Sequence, residues 1–141
     1  DRVGKKVVII GGGAIGVELG IHLNSLGRAS TIVEMGEHIA AKAQLTERTD
    51  YLTNLEKFGV TTMENTTCTE ITGQGVRVEN SGGARFLEAD TVIIAAGTRS
   101  RTKERDLFID SAFDVISVGD CVNASSIVHA THSGFDAGLA L

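Results

Sequence analysis

A glycine turn between two regular segments constrains this sequence more than any other feature. Val7-Val8-Ile9-Ile10 is a short β-branched run, the composition of a buried strand. It runs directly into Gly11-Gly12-Gly13-Ala14-Ile15-Gly16. From Ala14 to Leu26, apolar residues recur with a helical period at Ile15, Leu19, Leu23 and Leu26, and Gly27 stands where a helix C-cap belongs. Ser30-Thr31-Ile32-Val33 reads as a second strand. Strand, turn, helix and strand together make a βαβ unit.

The spacing Gly11-x-Gly13-x-x-Gly16 then has a mechanical meaning. The first glycine permits the tight turn out of the strand. The second lacks a Cβ, so a pyrophosphate can approach the backbone, and the third lets the helix pack closely on the sheet. The start of the helix adds unpaired N–H groups and a partial positive charge. Gly11, Gly12, Gly13, Ala14, Ile15 and Gly16 are therefore expected to bind the phosphates of a dinucleotide. Glu34 closes the second strand, where an acid accepts hydrogen bonds from the adenosine ribose hydroxyls and repels a 2′-phosphate. Met35, Gly36 and Glu37 follow it without a cation. The expected cofactor is NAD(H) rather than NADP(H).

The remaining elements follow from pattern and composition. Residues 44–58 predict a helix with Leu45, Leu52, Leu55 and Phe58 facing inward, stopped by Gly59. Val60-Thr61-Thr62-Met63 predicts a third strand. Residues 67–87 alternate and are broken at Gly73-Gln74-Gly75 and at Asn80-Ser81-Gly82-Gly83, a β-meander with tight turns. Thr91-Val92-Ile93-Ile94 predicts another buried strand, and Val115-Ile116-Ser117-Val118 one more. Residues 100–106 read as a polar connector, and about 125–141 as a helix. With aromatics at 4%, the core must be aliphatic, as in a parallel sheet covered on both faces. The 17 glycines and the absence of proline leave glycine to make the turns. The expected fold is α/β, a Rossmann-type parallel sheet flanked by helices with a β-meander insertion.

A net charge of −5 without long runs argues against nucleic acid or an anionic membrane surface as partner. Cys68 and Cys121 form no CxxC, so neither a disulfide framework nor a zinc site is expected. His129 and His132, with Asp136 a turn beyond, lack a fourth ligand, and no metal site is assigned to them. Arg99, Arg101, Lys103 and Arg105 are interleaved with Glu104 and Asp106, as in a solvated connector. No apolar run approaches the ~20 residues of a membrane span, and no signal peptide is visible. A cytoplasmic setting is the expectation.

Three blocks carry a resemblance: Gly11 to Glu18, Ala89-Asp90-Thr91-Val92-Ile93-Ile94-Ala95-Ala96-Gly97-Thr98-Arg99, and Val118-Gly119-Asp120-Cys121. They resemble the pyridine nucleotide-linked flavin oxidoreductases, the flavoproteins with two dinucleotide-binding domains. Within these, the stretch from Ile127 to Phe135 after Gly119-Asp120-Cys121 is most similar to the C-terminal part of old-yellow-enzyme-type 2-enoate and 2,4-dienoyl-CoA reductases. The resemblance implies that Ala95, Ala96 and Gly97 lie where the chain crosses from the NAD domain to the FAD domain. It implies that Asp120 accepts a hydrogen bond from the FAD ribityl chain, with the N-terminus of the following helix aimed at the flavin. The family also has an earlier glycine fingerprint for FAD, whereas only one fingerprint occurs in this sequence.

The expected organisation is thus an NAD-binding Rossmann domain over 1–99, then a connector with the terminal strand and helix of an incomplete FAD domain over 100–141. The expected partners are NADH and the remainder of a parent flavoprotein, and a homo-oligomer is compatible with the sequence. No catalytic side chain is assigned, since the cofactors carry the chemistry. The isolated fragment is expected to bind NAD weakly, to hold no FAD and to be inactive. The alternative is a nucleotide-sensing Rossmann module without turnover, for which the Gly119-Asp120 block has no use.

Overall fold

The β-branched runs form the strands of a parallel sheet. In a computed structural model describing residues 2–109 and 114–141, β1 (Lys6–Ile10) lies between β2 (Ala29–Val33) and a later strand, Thr91–Ile94. The helix α1 (Ala14–Ser25) joins β1 to β2, and α2 (Leu45–Lys57) joins β2 to β3 (Thr61–Met63). Then come β4 (Thr67–Thr72), β5 (Gly75–Asn80) and β6 (Gly83–Glu88), an antiparallel meander, before β7 (Thr91–Ile94). The parallel sheet has the order β3-β2-β1-β7.

That order dictates which face each connection covers. The chain steps from β1 to β2 to β3 in one direction, then returns across the sheet to β7. Parallel crossovers are right-handed, so opposite steps place their connections on opposite faces. Helices α1 and α2 accordingly cover one face and the meander the other. The register agrees: Ile9 pairs with Ile32 and Ile93, and these pack with Val7, Val17, Leu23, Leu55 and Val60 on the helical side. Val8, Val33, Val76 and Val78 form a second cluster on the meander side, joined by Ile10, Met63 and Val92. Each such side chain taken from water contributes about 1.5–3 kcal/mol before chain entropy is counted. The expected α/β Rossmann-type class with its meander is the fold observed.

Both helices end on the glycines expected. At α1, Gly27 has φ +77; its N–H bonds to Asn24 O, and the N–H of Arg28 bonds to Leu23 O. Gly59 repeats this after α2, with φ +66. These are Schellman closures, which need a residue tolerant of the left-handed region. The helix faces differ from expectation. Ile15 and Leu26 are exposed, and the buried stripe of α1 is Gly16, Val17, Gly20 and Leu23. Glycines let the helix approach the sheet so closely that a Cβ on Gly20 would lie 3.0 Å from Ile32 Cδ1. In α2, Leu55 is buried and Phe58 half-buried, but Leu45 and Leu52 are exposed. Tyr51 ties the two helices together: its hydroxyl donates to Glu18 Oε1 at 2.7 Å. That bond, burial and the nearby Glu47 raise the phenol above its ordinary pKa.

Asp90 fastens β7 to β1 at their N-terminal ends. Its Oδ2 accepts the N–H groups of Lys5 (3.0 Å) and Lys6 (2.9 Å), and its own N–H donates to Lys6 O. Gly4 fits against it only because it lacks a Cβ, which would fall 2.3 Å from Asp90 Cβ. The backbone N–H of Lys6 foremost holds the Asp90 carboxyl below the ordinary aspartate range; burial opposes it, and the N–H of Lys5 and the charges of both lysines add to the lowering. A depressed folded pKa gives stability that is present above the unfolded value of about 3.9 and lost as pH falls through the folded one. Asp90→Asn is therefore expected to lower the melting temperature at pH 7, with the gap narrowing as pH falls below about 4. Melting curves at pH 7 and pH 3 check this; a gap of equal size at both would assign the effect elsewhere.

The chain divides after Gly97 into two units, Asp1–Gly97 and Thr98–Leu141. In the second, the predicted connector contains a short helix α3 (Thr102–Asp106), with Arg101 paired to Glu104 one turn apart. It buries nothing, as a polar segment should. The strand predicted over Val115–Val118 does not form: residues 114–118 have no regular structure, and Val115 and Ile116 are exposed. A β-branched run becomes a strand only beside another, and this unit has no strand among its described residues. After a short 3-10 turn, Gly119–Cys121, comes α4 (Ile127–Leu139). It begins two residues later than expected because Ser126 is its N-cap, accepting the His129 N–H.

Candidate functional site

The site is the C-terminal edge of the parallel sheet, where β1 and β7 end side by side. The helix leaving β1 covers one face and the meander leading into β7 covers the other, and such a switch point opens the crevice in which doubly wound folds bind ligands. Gly11 stands there with φ +110, donating its N–H to Val33 O at 2.8 Å. A Cβ on it would strike Ala95, 2.4 Å from the carbonyl oxygen. Only glycine lets the ends of β1 and β7 come this close. Gly16 has the second tight approach: its Cβ would lie 2.0 Å from Gly11 O.

Gly13 differs from both. It is exposed, its φ of −71 suits any residue, and a Cβ on it would meet nothing within 4 Å. It is the N-cap of α1, and no side chain caps this helix start, nor does an acid occupy its first turn. Ala14 and Ile15 are exposed beside it. Open space at a bare helix N-terminus fits a phosphate group.

Glu34 follows β2 directly and is half-buried. Its Oε2 accepts the Gly12 N–H at 2.6 Å, and its Oε1 accepts the Gly36 N–H at 2.7 Å. Gly12 is buried, and its carbonyl accepts the Ala40 N–H at 2.7 Å. Both of its backbone polar groups thus face the protein rather than the open side of the turn. Glu64 contributes a second carboxylate, accepting the Ile39 N–H at 2.7 Å. Ile39 and Ala40 are buried, and Ala40 has φ +52, so the segment after Glu34 is folded down on Gly12. Sequence reasoning missed Gly36, Ala40 and Glu64; the glycine two residues after Glu34 was the one available signal.

Gly11 to Gly16, Glu34 and the end of β7 are thus brought together within the first unit. Gly97, with φ +91 and exposed, lies two residues beyond the Ala95 contact. Asp120 belongs to the second unit. It is exposed, and its Oδ1 accepts the Ser125 N–H at 3.4 Å. Gly119, φ +65, donates its N–H to Ser133 Oγ and so ties the turn to α4. Cys121 donates its thiol to Val118 O. His129, His132 and Asp136 are exposed, and among the described residues no three His, Cys, Asp or Glu side chains gather as a metal site. The basic connector is internally paired, Arg101 with Glu104 and Arg105 with Asp106. Among the described residues no helix is long and apolar enough to cross a membrane.

Fold and turn together define a Rossmann-type α/β unit with its glycine loop at the switch point. The chain belongs to the pyridine nucleotide-disulphide oxidoreductase family, whose model matches residues 1–134. It is 34% identical over 131 residues to a bilirubin reductase of Mediterraneibacter gnavus, covering 92% of this chain and 20% of that protein. It is also 34% identical over 133 residues to an NADH oxidase of Thermoanaerobacter brockii, covering 93% of this chain and 20% of the other. A 2-naphthoyl-CoA reductase structure superposes with a TM-score of 0.88 at 28% identity, over 100% of this chain and 22% of that one. The chain spans about a fifth of the length of these relatives. The family implies a pyridine nucleotide and a flavin as cofactors, and the open, uncapped turn at Gly13 fits the phosphates of the former.

Proposed function

We propose that this chain is the NAD(H)-binding portion of a flavin-dependent oxidoreductase. Residues 1–99 would form the NAD domain, a reading supported by the division of the chain after Gly97. The observation that carries it is the turn at the switch point, with space at Gly13 and an uncapped helix start beside it. Gly13, Ala14 and Ile15 would offer their N–H groups to the pyrophosphate. Gly11 and Gly16 would shape the turn, and Glu34 would accept the adenosine ribose hydroxyls. When bound, the dinucleotide supplies a hydride that the flavin accepts. This chain's part is to hold and orient, and no side-chain acid or base is needed in it.

The second unit supplies little of a flavin site on its own. Asp120 offers an exposed carboxylate suited to a ribityl hydroxyl, and the start of α4 offers N–H groups. No α4 residue is buried, and Ile127, Val128, Phe135 and Leu139 are all exposed. Such a face needs a cover, and we assign it to the FAD domain of the parent. The branch we favour is that of the old-yellow-enzyme-type enoate reductases, supported by the block from Gly119 to Phe135 and by the likeness to 2-naphthoyl-CoA reductase over the whole chain. A sensing module without turnover would have no use for the Gly119-Asp120 turn.

Titration with NADH and with NADPH, followed by nicotinamide fluorescence, tests the cofactor assignment. NADH is expected to bind at least about tenfold more tightly, a difference of roughly 1.4 kcal/mol. Equal or tighter binding of NADPH would refute the role given to Glu34.

A further inference from the structure

We infer that Glu34 is a positioning residue for the phosphate turn as well as the ribose-reading acid, so one carboxylate assembles both halves of the adenosine diphosphate subsite. The inference rests on the dinucleotide reading of the same turn. A carboxylate has about four lone-pair sites. Two are filled here, Oε2 by the Gly12 N–H at 2.6 Å and Oε1 by the Gly36 N–H at 2.7 Å. These are charge-assisted bonds to backbone, the stronger class of hydrogen bond. They join the second residue of the glycine turn to the segment after β2.

The surrounding packing makes that connection a clasp. A Cβ on Gly12 would lie 2.9 Å from Glu34 Cβ and 2.5 Å from Ile39 Cδ1, so turn and clasp are in direct contact. Ala40 and Asn65 bind the carbonyls of Gly12 and Gly36, so both glycines are held on each side. Gly13, the residue next to Gly12, is the one with open space for the pyrophosphate. Its place is set by a neighbour whose N–H depends on Glu34. The remaining lone pairs of the carboxylate stay available to ribose hydroxyls. Removing the carboxylate to relax the NAD preference is then expected to loosen the pyrophosphate subsite too.

The test compares two probes, NADH and its analogue with a 2′,3′-dideoxyadenosine half, on the wild-type chain and on Glu34→Ala. If Glu34 only reads the ribose, the substitution leaves affinity for the analogue unchanged, and that result overturns the inference. If it positions the turn, the analogue loses at least about fivefold as well. A second readout needs no nucleotide. Amide hydrogen exchange at Gly12 and Gly36 is expected to accelerate at least about tenfold in Glu34→Ala, while Val8 and Ile32 keep their protection. Unchanged exchange at both glycines also overturns it. Should Glu34→Ala not fold, Glu34→Gln carries the same test, since its NH2 must face one of the two N–H groups. Failure of the wild-type chain to bind NADH would overturn the dinucleotide reading instead and leave the clasp to be judged by exchange.

Discussion

Gly11→Ala is expected to unfold the first unit or bring it close to unfolding. The new methyl would have to occupy a site 2.4 Å from Ala95 O and 2.6 Å from Ala95 C. Both are backbone atoms of the segment leaving β7, so no side-chain rotation relieves the clash. The backbone must also stay at φ +110, which a residue with a Cβ rarely adopts. Overpacking costs about 1–3 kcal/mol and a strained dihedral about 1–3 more, so about 2–6 kcal/mol is expected. Domains of this size are stable by only about 5–15 kcal/mol. Urea unfolding, monitored by circular dichroism, should show a large fall in midpoint. A midpoint within experimental error of wild type would mean that β1 and β7 do not meet at Gly11. Gly16→Ala, with its Cβ 2.0 Å from Gly11 O, is expected to behave alike.

The second large effect is expected at Ile32, which is fully buried between β1 and α1. Ile32→Ala removes three carbons from a site closed by Gly20 and Ile9, where little can collapse into the gap. A loss of about 2–5 kcal/mol follows. The informative contrast is Ile127→Ala on α4, where the side chain is 86% exposed. On this chain it is expected to change stability by less than about 0.5 kcal/mol. In a full-length parent, where we propose that the FAD domain covers α4, the same substitution should weaken flavin retention. Equal stability losses at Ile32 and Ile127 on this chain would show that α4 is already covered.

Much of the fold was legible because its signals are local. The β-branched runs at Val7–Ile10, Ser30–Val33 and Thr91–Ile94 all form strands, although Thr91–Ile94, expected to be buried, is a half-buried edge strand with Ile94 exposed, and the glycine turns of the meander separate its strands cleanly. The glycine spacing likewise marked the turn that joins β1 to α1, beside which Glu34 lies. Three things were not legible, each for a physical reason. Apolar periodicity cannot register a buried helix face made of Gly16 and Gly20; it marks Ile15 and Leu26 instead, and these are exposed. The residues Val115 to Val118 have strand propensity, but a strand also needs a neighbour. The clasp of Glu34 on Gly12 and Gly36, with Glu64 beside it, depends on where loops fold in three dimensions, and no spacing rule encodes it.

The central claim is that the open side of the turn at Gly13 receives a dinucleotide pyrophosphate, and Gly13→Ala tests it most directly. Its φ of −71 accepts alanine and its Cβ has no neighbour within 4 Å, so stability should change by about 1 kcal/mol or less, the cost of alanine at an N-cap. The methyl would nonetheless stand where the phosphates approach the backbone. Titration by nicotinamide fluorescence is therefore predicted to show NADH binding to the wild-type chain and at least about tenfold weaker binding to a folded Gly13→Ala variant, a difference of roughly 1.4 kcal/mol. Equal NADH affinity in the two folded chains would contradict the account.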